Sequence, residues 1–443
     1  LFSTSQGILQ IREIYRRWVS GQRDFRVMSE DGERSVYDVI SDGVKDTVHI
    51  RMSQGREITS TQDHRFRVLT EDFQVMWRRA ADLKRGDWVV ATETPYTPSN
   101  NQLPNGLAYF LGVFTGDGSL SLSRGDRVNF QTSIPSRSVV ESPGHVREIE
   151  RAYRNFLGGG TVQPAGRGMY HIRRINREFA AHLIEHGFFA DESMTDKAIP
   201  SFVLESSRAD LVEYLAGLFD TDGHVRKGER SISVTTKSFR LMRDVSAVLA
   251  ALGIRFRVQH QHMKGTVPGK LKDGTVKQYP VDKTYYTIHV SGASMVRLAD
   301  RGLHLRVTHK RERFDECVES LREGVGGQNV RTLIPFSRQV VRRAYRHLLE
   351  SDQEPNRCHD LFAANWISQD ASRETLHRID IEFPGCFDDE PGVRYILDWN
   401  CYLARVEEVQ EQSDEVYDLG VEGAPSYVVD GFISHNTTTA CCG

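Results

Sequence analysis

Short runs of alternating apolar and polar residues, closed by turn signals, fill residues 24–92. RDFRVMS, ERSVYDVI, DTVHIRMS and HRFRVL each read as a strand, and EDG, SDG and SQG read as turns between strands. Ahead of them, ILQIREIYRRW spaces its apolar residues at roughly helical intervals. The pattern predicts an all-β unit with one short helix, ending near ADLKRGDWVVAT. The Pro- and Asn-rich stretch TPYTPSNNQLPNG (94–106) reads as a linker.

The pattern then changes. LAYFLGVFTGDGSL (107–120) is an apolar run closed by Gly-Asp-Gly, and a near copy, LVEYLAGLFDTDGHV, stands at 211–225. Strand-like segments, HLIEHGFF and DKAIPSF follow the first copy. RSISVTTKS, a helix near LMRDVSAVLAALGI, VRLADRGLHL and HKRERF follow the second. Asp117 and Asp222 stand 105 residues apart, each with a lysine downstream, Lys197 and Lys310. This spacing predicts a duplicated α/β unit rather than a short-period solenoid. Residues 335–372 read as helices (SRQVVRRAYRHLLES, then HDLFAANWISQD), followed by a loop centred on FPGCFDDEPG. From YILDWNCYLARVEEV the strand pattern returns, through DEVYDLGV and SYVVDGFIS to HNTTTACCG.

The length, 443 residues, sets a prior of about three domains. A hydrophobic share of 39% is enough for sizeable cores, which argues against wholesale disorder. No run reaches the ~18 apolar residues of a membrane span, and no signal peptide opens the chain, so a cytoplasmic setting is expected. The net charge of −3 excludes a uniformly basic nucleic-acid coat but not a basic patch. Six cysteines without CxxC spacing argue against a disulfide framework or a cysteine zinc site.

Each Asp-Gly places a carboxylate at the C-terminus of an apolar helix, with the glycine expected in left-handed geometry. The helix dipole is negative there, so an anion is poorly placed. Gly112 and Gly217 occupy matching positions, where small residues let two helix backbones approach. If the helices pack together, Asp117 and Asp222 meet at one end and repel unless a divalent cation joins them. Mg²⁺, which takes oxygen ligands and keeps several waters, suits that donor set. The spacing excludes an EF-hand.

LGVFTGDGS and LAGLFDTDG resemble the paired motifs of LAGLIDADG homing endonucleases. The resemblance implies Mg²⁺ held by Asp117 and Asp222 for cleavage of double-stranded DNA. It places Lys197, in KAIP, as the basic residue near the first carboxylate, with Lys310, in HKRER, as its counterpart. Basic segments at 124–127, 167–177, 225–230, 255–265 and 309–313 are candidates to face phosphates. RRAYRH in the helices after residue 335 is a candidate extension of that footprint, or part of a packing insert.

The chain ends carry a second constellation. DEVYDLGV, SYVVDGFIS and HNT resemble the C-terminal splicing blocks of inteins, and TQDH (61–64) resembles their T-x-x-H block. The intein resemblance implies roles for Thr61, His64, Asp418, His435, Asn436 and Thr437. His64 and Thr61 would polarise the upstream scissile amide. Asp418 would move protons between the junctions. Asn436 would cyclise with His435 assisting, and Thr437 would supply the downstream nucleophile. Inteins usually open with Cys, Ser or Ala ahead of a short strand and a GxxxI segment, here Gly7 to Ile11. The expectation is therefore that the first residues, with a Cys nucleophile, precede Leu1. A variant that bypasses that nucleophile carries a Cys where Asp418 stands. Pro425 occupies a place where inteins usually carry His, which removes one proton carrier.

The resulting expectation is a multidomain α+β chain. An all-β horseshoe of the Hint type is built from residues 1–100 and 395–436. A pseudo-two-fold α/β endonuclease occupies 101–328 and a helical insert 329–394. Residues 437–443 belong to the downstream flank. Expected partners are the DNA target and the flanking host segments in cis, with the chain acting as a monomer. TTTACC resembles the residues just after the Gly-Lys of a phosphate-binding loop, so the host is expected to be a P-loop ATPase, such as a phage terminase large subunit. The alternatives are a free-standing homing endonuclease, for which T-x-x-H and His-Asn-Thr have no use, and a splicing-inactive remnant acting as a DNA-binding module.

Overall fold

The computed structural model describes residues 1–123, 127–189, 196–270, 275–323, 333–350, 369–424 and 426–435. Asn436, Thr437, Pro425, most of HDLFAANWISQD and most of the RGDR segment lie outside them.

Both ends of the chain feed one 11-stranded sheet. Its strands come from Phe2–Thr4 through Trp88–Thr92 and from Cys401–Val421 through Phe432–His435. The two halves join along a long antiparallel ladder between Gly32–Met52 and Cys401–Val421, with Asp418 opposite Ile40. This corrects one expectation. The SDG segment (41–43) is not a turn between two strands, because the partner strand runs past it without a break. The extra residue is absorbed as a register shift opposite Val416 and Tyr417, with Gly43 at φ +71°. The core under this sheet gathers Ile14, Trp18, Phe25, Val27, Phe66, Val68, Tyr427 and Phe432.

Between those ends lie two four-stranded sheets with one repeated topology. The first runs in the order Val162–Gly166, Met169–Ile175, Arg127–Pro135, Gly118–Ser123. The second runs Gly223–Arg226, Ser231–Thr236, Val276–Ser291, Arg257–Lys270. In each, the strand that leaves the motif helix is an edge, the next strand pairs with it, and the fourth strand in sequence inserts beside the second. The duplicated α/β unit read from the repeat is thus present as a repeated strand order.

The two motif helices, Leu107–Asp117 and Arg208–Thr221, are apolar on nearly every side, and both are buried over most of their length. A helix without a polar face must be enclosed by protein, and here each encloses the other. A Cβ at Gly112 would lie 2.0 Å from the Tyr214 carbonyl oxygen, and one at Gly217 2.2 Å from that of Tyr109. Gly118 and Gly223 are not left-handed, contrary to the expectation from Asp-Gly. They are glycines for lack of space: a Cβ would lie 2.3 Å from the Phe114 oxygen and 2.2 Å from the Phe219 oxygen.

A third core joins Ser337–Glu350, Arg373–Glu382 and Pro391–Asp398 to the large sheet through Val340, Leu376, Phe387, Ile396, Leu403 and Ile433. Two further expectations change here. Arg373–Glu382, which reads as loop in the sequence, is a helix capped by Ser372, whose side chain accepts from the Thr375 N–H. YILD, which reads as the start of a strand, closes the helix Pro391–Asp398, and the strand begins at Cys401. The described cysteines, Cys317, Cys386 and Cys401, are buried free thiols. Among the described residues, no helix is long and apolar enough to cross a membrane.

Candidate functional site

The strand Phe432–His435 lies between the chain's two ends. Ser434 stands opposite Phe66, and Phe432 opposite Ala91. That register carries His435 alongside the turn at 61–64. The turn is closed by the His64 N–H donating to the Thr61 carbonyl at 3.2 Å, and its far side is held by Ala80 N–H on the His64 carbonyl at 2.6 Å. The His64 ring packs edge-on against Phe66 and lies tilted near Tyr427, with centroids 5.0 and 6.3 Å away. His435 sits edge-on to Trp77 at 4.9 Å. Burial pushes the His64 imidazole down to about 4, against the pull of Asp63, and the positive form of His435 pushes in the same direction as burial. Burial therefore favours the neutral His64 imidazole at physiological pH.

Thr61, His64, Asp418 and His435 all line one cavity of about 1080 Å³. Leu1 and Asp430 line it too, and the Asp430 N–H donates to the Leu1 carbonyl at 3.2 Å. Asp418 sits on the ladder strand, its carboxylate accepting from the Leu419 N–H at 2.9 Å. Thr61 lies opposite Thr47. Thr47 was not legible as a site residue. It reads as an ordinary strand threonine, yet it is buried, opens onto this cavity, and its hydroxyl makes no hydrogen bond among the described residues.

One wall of the cavity comes from the middle of the chain, through Phe239, Met242, Arg243, Ser246, Phe256 and Val258. The join is tight. Arg56 stacks on Phe256 and Phe432, 5.1 and 4.4 Å from their centroids, and donates to the Asp430 carbonyl. Ion pairs Arg17–Glu205 at 2.7 Å and Arg297–Glu93 at 2.6 Å flank it.

The second site lies at the C-terminal ends of the paired motif helices. Burial and the neighbouring Asp222 push the Asp117 carboxyl up to about 6, and burial raises Asp222 as well. The lysines occupy matching positions. Lys197 Nζ donates to the carbonyls of Phe114, Thr115 and Gly118 at 3.1, 2.7 and 2.6 Å. Lys310 Nζ donates to those of Phe219, Asp220 and Thr221 at 3.1, 2.8 and 2.8 Å. Each ammonium satisfies the last carbonyls of one helix and opposes the negative end of its dipole. Burial draws Lys197 down to about 8 and lowers Lys310, while both carboxylates pull the other way. The internal repeat thus pairs Lys197 with Lys310 as symmetric helix caps facing two carboxylates.

Behind them lies a buried network that spacing alone did not reveal. Tyr109 Oη donates to Asp220 Oδ2 at 2.7 Å and contacts His145 Nδ1 at 2.7 Å. Arg306 and Val307 N–H groups donate to Asp220 at 2.8 and 3.0 Å, and the Arg306 guanidinium lies 3.7 Å over the Tyr109 ring.

The intein splicing domain family matches residues 4–436. The chain is 24% identical over 392 residues to the replication factor C small subunit of Thermococcus kodakarensis, covering 87% of this chain and 40% of that protein. It is 23% identical over 418 residues to the replicative DNA helicase DnaB of Rhodothermus marinus, covering 89% and 40%. The chain thus spans about 40% of the length of these relatives. Among solved structures, the homing endonuclease I-DmoI in complex with DNA and Ca is 16% identical with a TM-score of 0.26, over 44% of this chain and 83% of that one. The VidaL intein is 19% identical with a TM-score of 0.17, over 19% and 55%. With both ends of the chain closing on one cavity and the family match running from residue 4 to residue 436, the chain belongs to the intein splicing domain family.

Proposed function

We propose that this chain excises itself from a host protein and joins the flanks, and that residues 101–328 form a Mg²⁺-dependent double-strand DNA endonuclease. The observation that carries the splicing reading is the meeting of Thr61, His64, Asp418 and His435 on one cavity although more than 300 residues separate the two halves. Neutral His64, with Thr61, polarises the upstream amide, whose acyl group passes to an upstream nucleophile and then to the Thr437 hydroxyl. The Asn436 side-chain amide attacks its own backbone carbonyl, a succinimide closes, and the bond to Thr437 breaks. His435 donates a proton to the departing amine, and Asp418 relays protons between the junctions. The host is a P-loop ATPase, in which Thr437 and Thr438 would follow the Gly-Lys of the phosphate loop.

The nuclease reading rests on the facing pair Asp117 and Asp222. Both carboxyls are raised above the usual carboxylate range, and the donor set is oxygen alone, which fits Mg²⁺. Bound there, Mg²⁺ would activate water and stabilise the leaving phosphate oxygen. Lys197 and Lys310 fix the helix ends that present the two carboxylates and hold positive charge near the cleaved phosphates. The duplication matches two strands cut by two related halves.

Expression with natural flanking residues on both sides tests the first reading. Mass analysis should find the ligated flanks and the excised chain, and intact precursor alone would overturn it. Plasmid carrying the uninterrupted host gene, incubated with the chain and Mg²⁺, should be linearised. Cutting that persists in Asp117→Asn would overturn the second.

A further inference from the structure

The helix Arg177–Glu185 follows Met169–Ile175, the last strand in sequence of the first four-stranded sheet. His182, Glu185 and His186 fall on one face at its C-terminal end, at the i, i+3 and i+4 positions that helical geometry brings together. Their ligand atoms all lie within 4.8 Å of one another, and among the described residues this is the one such His/Cys/Asp/Glu cluster. The two imidazole centroids are 4.4 Å apart.

We propose that His182, Glu185 and His186 bind a borderline first-row divalent ion of the Zn²⁺ class, separate from the Mg²⁺ expected at Asp117 and Asp222. Two imidazoles and a carboxylate match three-ligand zinc chemistry, with water completing the tetrahedron. Imidazole donors disfavour Mg²⁺ and favour Co²⁺, Ni²⁺, Cu²⁺ and Zn²⁺. A tetrahedral ion with bonds of about 2.0–2.1 Å needs ligand atoms a little over ~3 Å apart, which side-chain rotation of the exposed His182 and Glu185 supplies. The C-terminal end of a helix favours a cation.

The site also has its outer support. His186 Nδ1 lies 2.8 Å from Ser201 Oγ. With Nδ1–H donating there, Nε2 is left as the metal-facing lone pair, the usual way a second partner fixes a ligating histidine. The Phe202 ring stacks on His182 at 5.0 Å and meets His186 edge-on at 5.1 Å, which fixes both rings from behind. The Ser201 N–H donates to the His186 carbonyl at 2.9 Å, Ala198 N–H donates to the Phe188 carbonyl at 2.8 Å, and Phe189 bridges to Lys197. An ion clamping this helix end therefore also braces the segment that delivers Lys197 to the first motif helix.

The test uses the full chain with no DNA and no Mg²⁺, and Co²⁺ as the probe. One equivalent should produce a visible d–d absorption that Zn²⁺ displaces and Mg²⁺ does not. His182→Gln and His186→Ala should each weaken binding by at least ~10-fold, and Ser201→Ala by ~10-fold through loss of the outer hydrogen bond. His182 is exposed, so His182→Gln removes a ligand at the cost, outside the cluster, of its ring contacts with Phe202 and Phe179, and circular dichroism checks that the fold is kept. Asp117→Asn should leave Co²⁺ binding unchanged. Absence of the absorption band, or binding of equal strength in His182→Gln, would overturn the assignment.

Discussion

Tyr109 and Asp220 bind each other across the two motif helices at 2.7 Å, and the same exchange recurs with the roles reversed, Tyr214 to Thr115 at 2.7 Å. Each tyrosine stands 105 residues from its counterpart, as Asp117 does from Asp222. One copy ends on a carboxylate and the other on a hydroxyl, so the pseudo-symmetry is broken at this point. The carboxylate of Asp220 gathers three donors, Tyr109 Oη and the N–H groups of Arg306 and Val307.

Asp220→Ala takes the acceptor from the Arg306 and Val307 N–H groups and one of two partners from Tyr109 Oη. The expected loss is about 3–5 kcal/mol, the range for breaking a buried charged network. Urea unfolding followed by far-ultraviolet circular dichroism measures it, and a loss below about 1 kcal/mol would show that water reaches the network.

Asp117→Asn should abolish DNA cutting and yet stabilise the metal-free chain at neutral pH. The folded carboxyl titrates near 6, above its unfolded value, so its contribution is present at low pH and is lost as pH rises through about 6. An amide escapes that penalty. Thermal melts at pH 7 without divalent ions should rise by an amount equivalent to about 1–2 kcal/mol, after discounting for partial solvent exposure. Mg²⁺ should raise the melting temperature of the natural chain and not that of the variant.

Gly217→Ala places a methyl 2.2 Å from the Tyr109 carbonyl, so the helices must separate. Overpacking of this kind costs roughly 1–3 kcal/mol, and the shift also moves the two carboxylates apart. DNA cutting should fall steeply while splicing persists. Equal loss of both activities would show that the two centres depend on one another.

His64→Gln should flatten the acid limb of stability. The folded imidazole titrates near 4 and the unfolded one near 6.5, so between these values the unfolded chain binds the extra proton. The natural chain therefore loses stability as pH falls from 6.5 to 4. The variant should retain roughly 1 kcal/mol more across that interval, read from melts in matched buffers, together with slowed upstream cleavage at pH 7.

Much of this was legible because periodicity and repetition survive in a single sequence. The paired apolar runs mark the helices, and the matched Asp and Lys positions mark the acidic pair and its caps. What escaped depends on partners distant along the chain. SDG reads as a turn until Cys401–Val421 lies beside it and carries the strand through. Asp220 reads as one more letter of a motif until Tyr109 reaches it from the other helix. Thr47 becomes notable only because Thr61 stands opposite it and the cavity opens there. Arg373–Glu382 escapes because its apolar residues are few and its packing onto the large sheet, rather than its pattern, holds it helical.

The wall formed by Phe239, Met242, Phe256 and Val258 has a consequence for any shortened form of the chain. Trimming residues 101–328 would not simply unload a passenger. It would strip Arg56 of its aromatic neighbour Phe256, leave Glu93 without Arg297, and open the cavity lined by Thr61, His64, Asp418 and His435 to bulk water on one flank. A miniature that still works would have to grow a replacement lid on that flank.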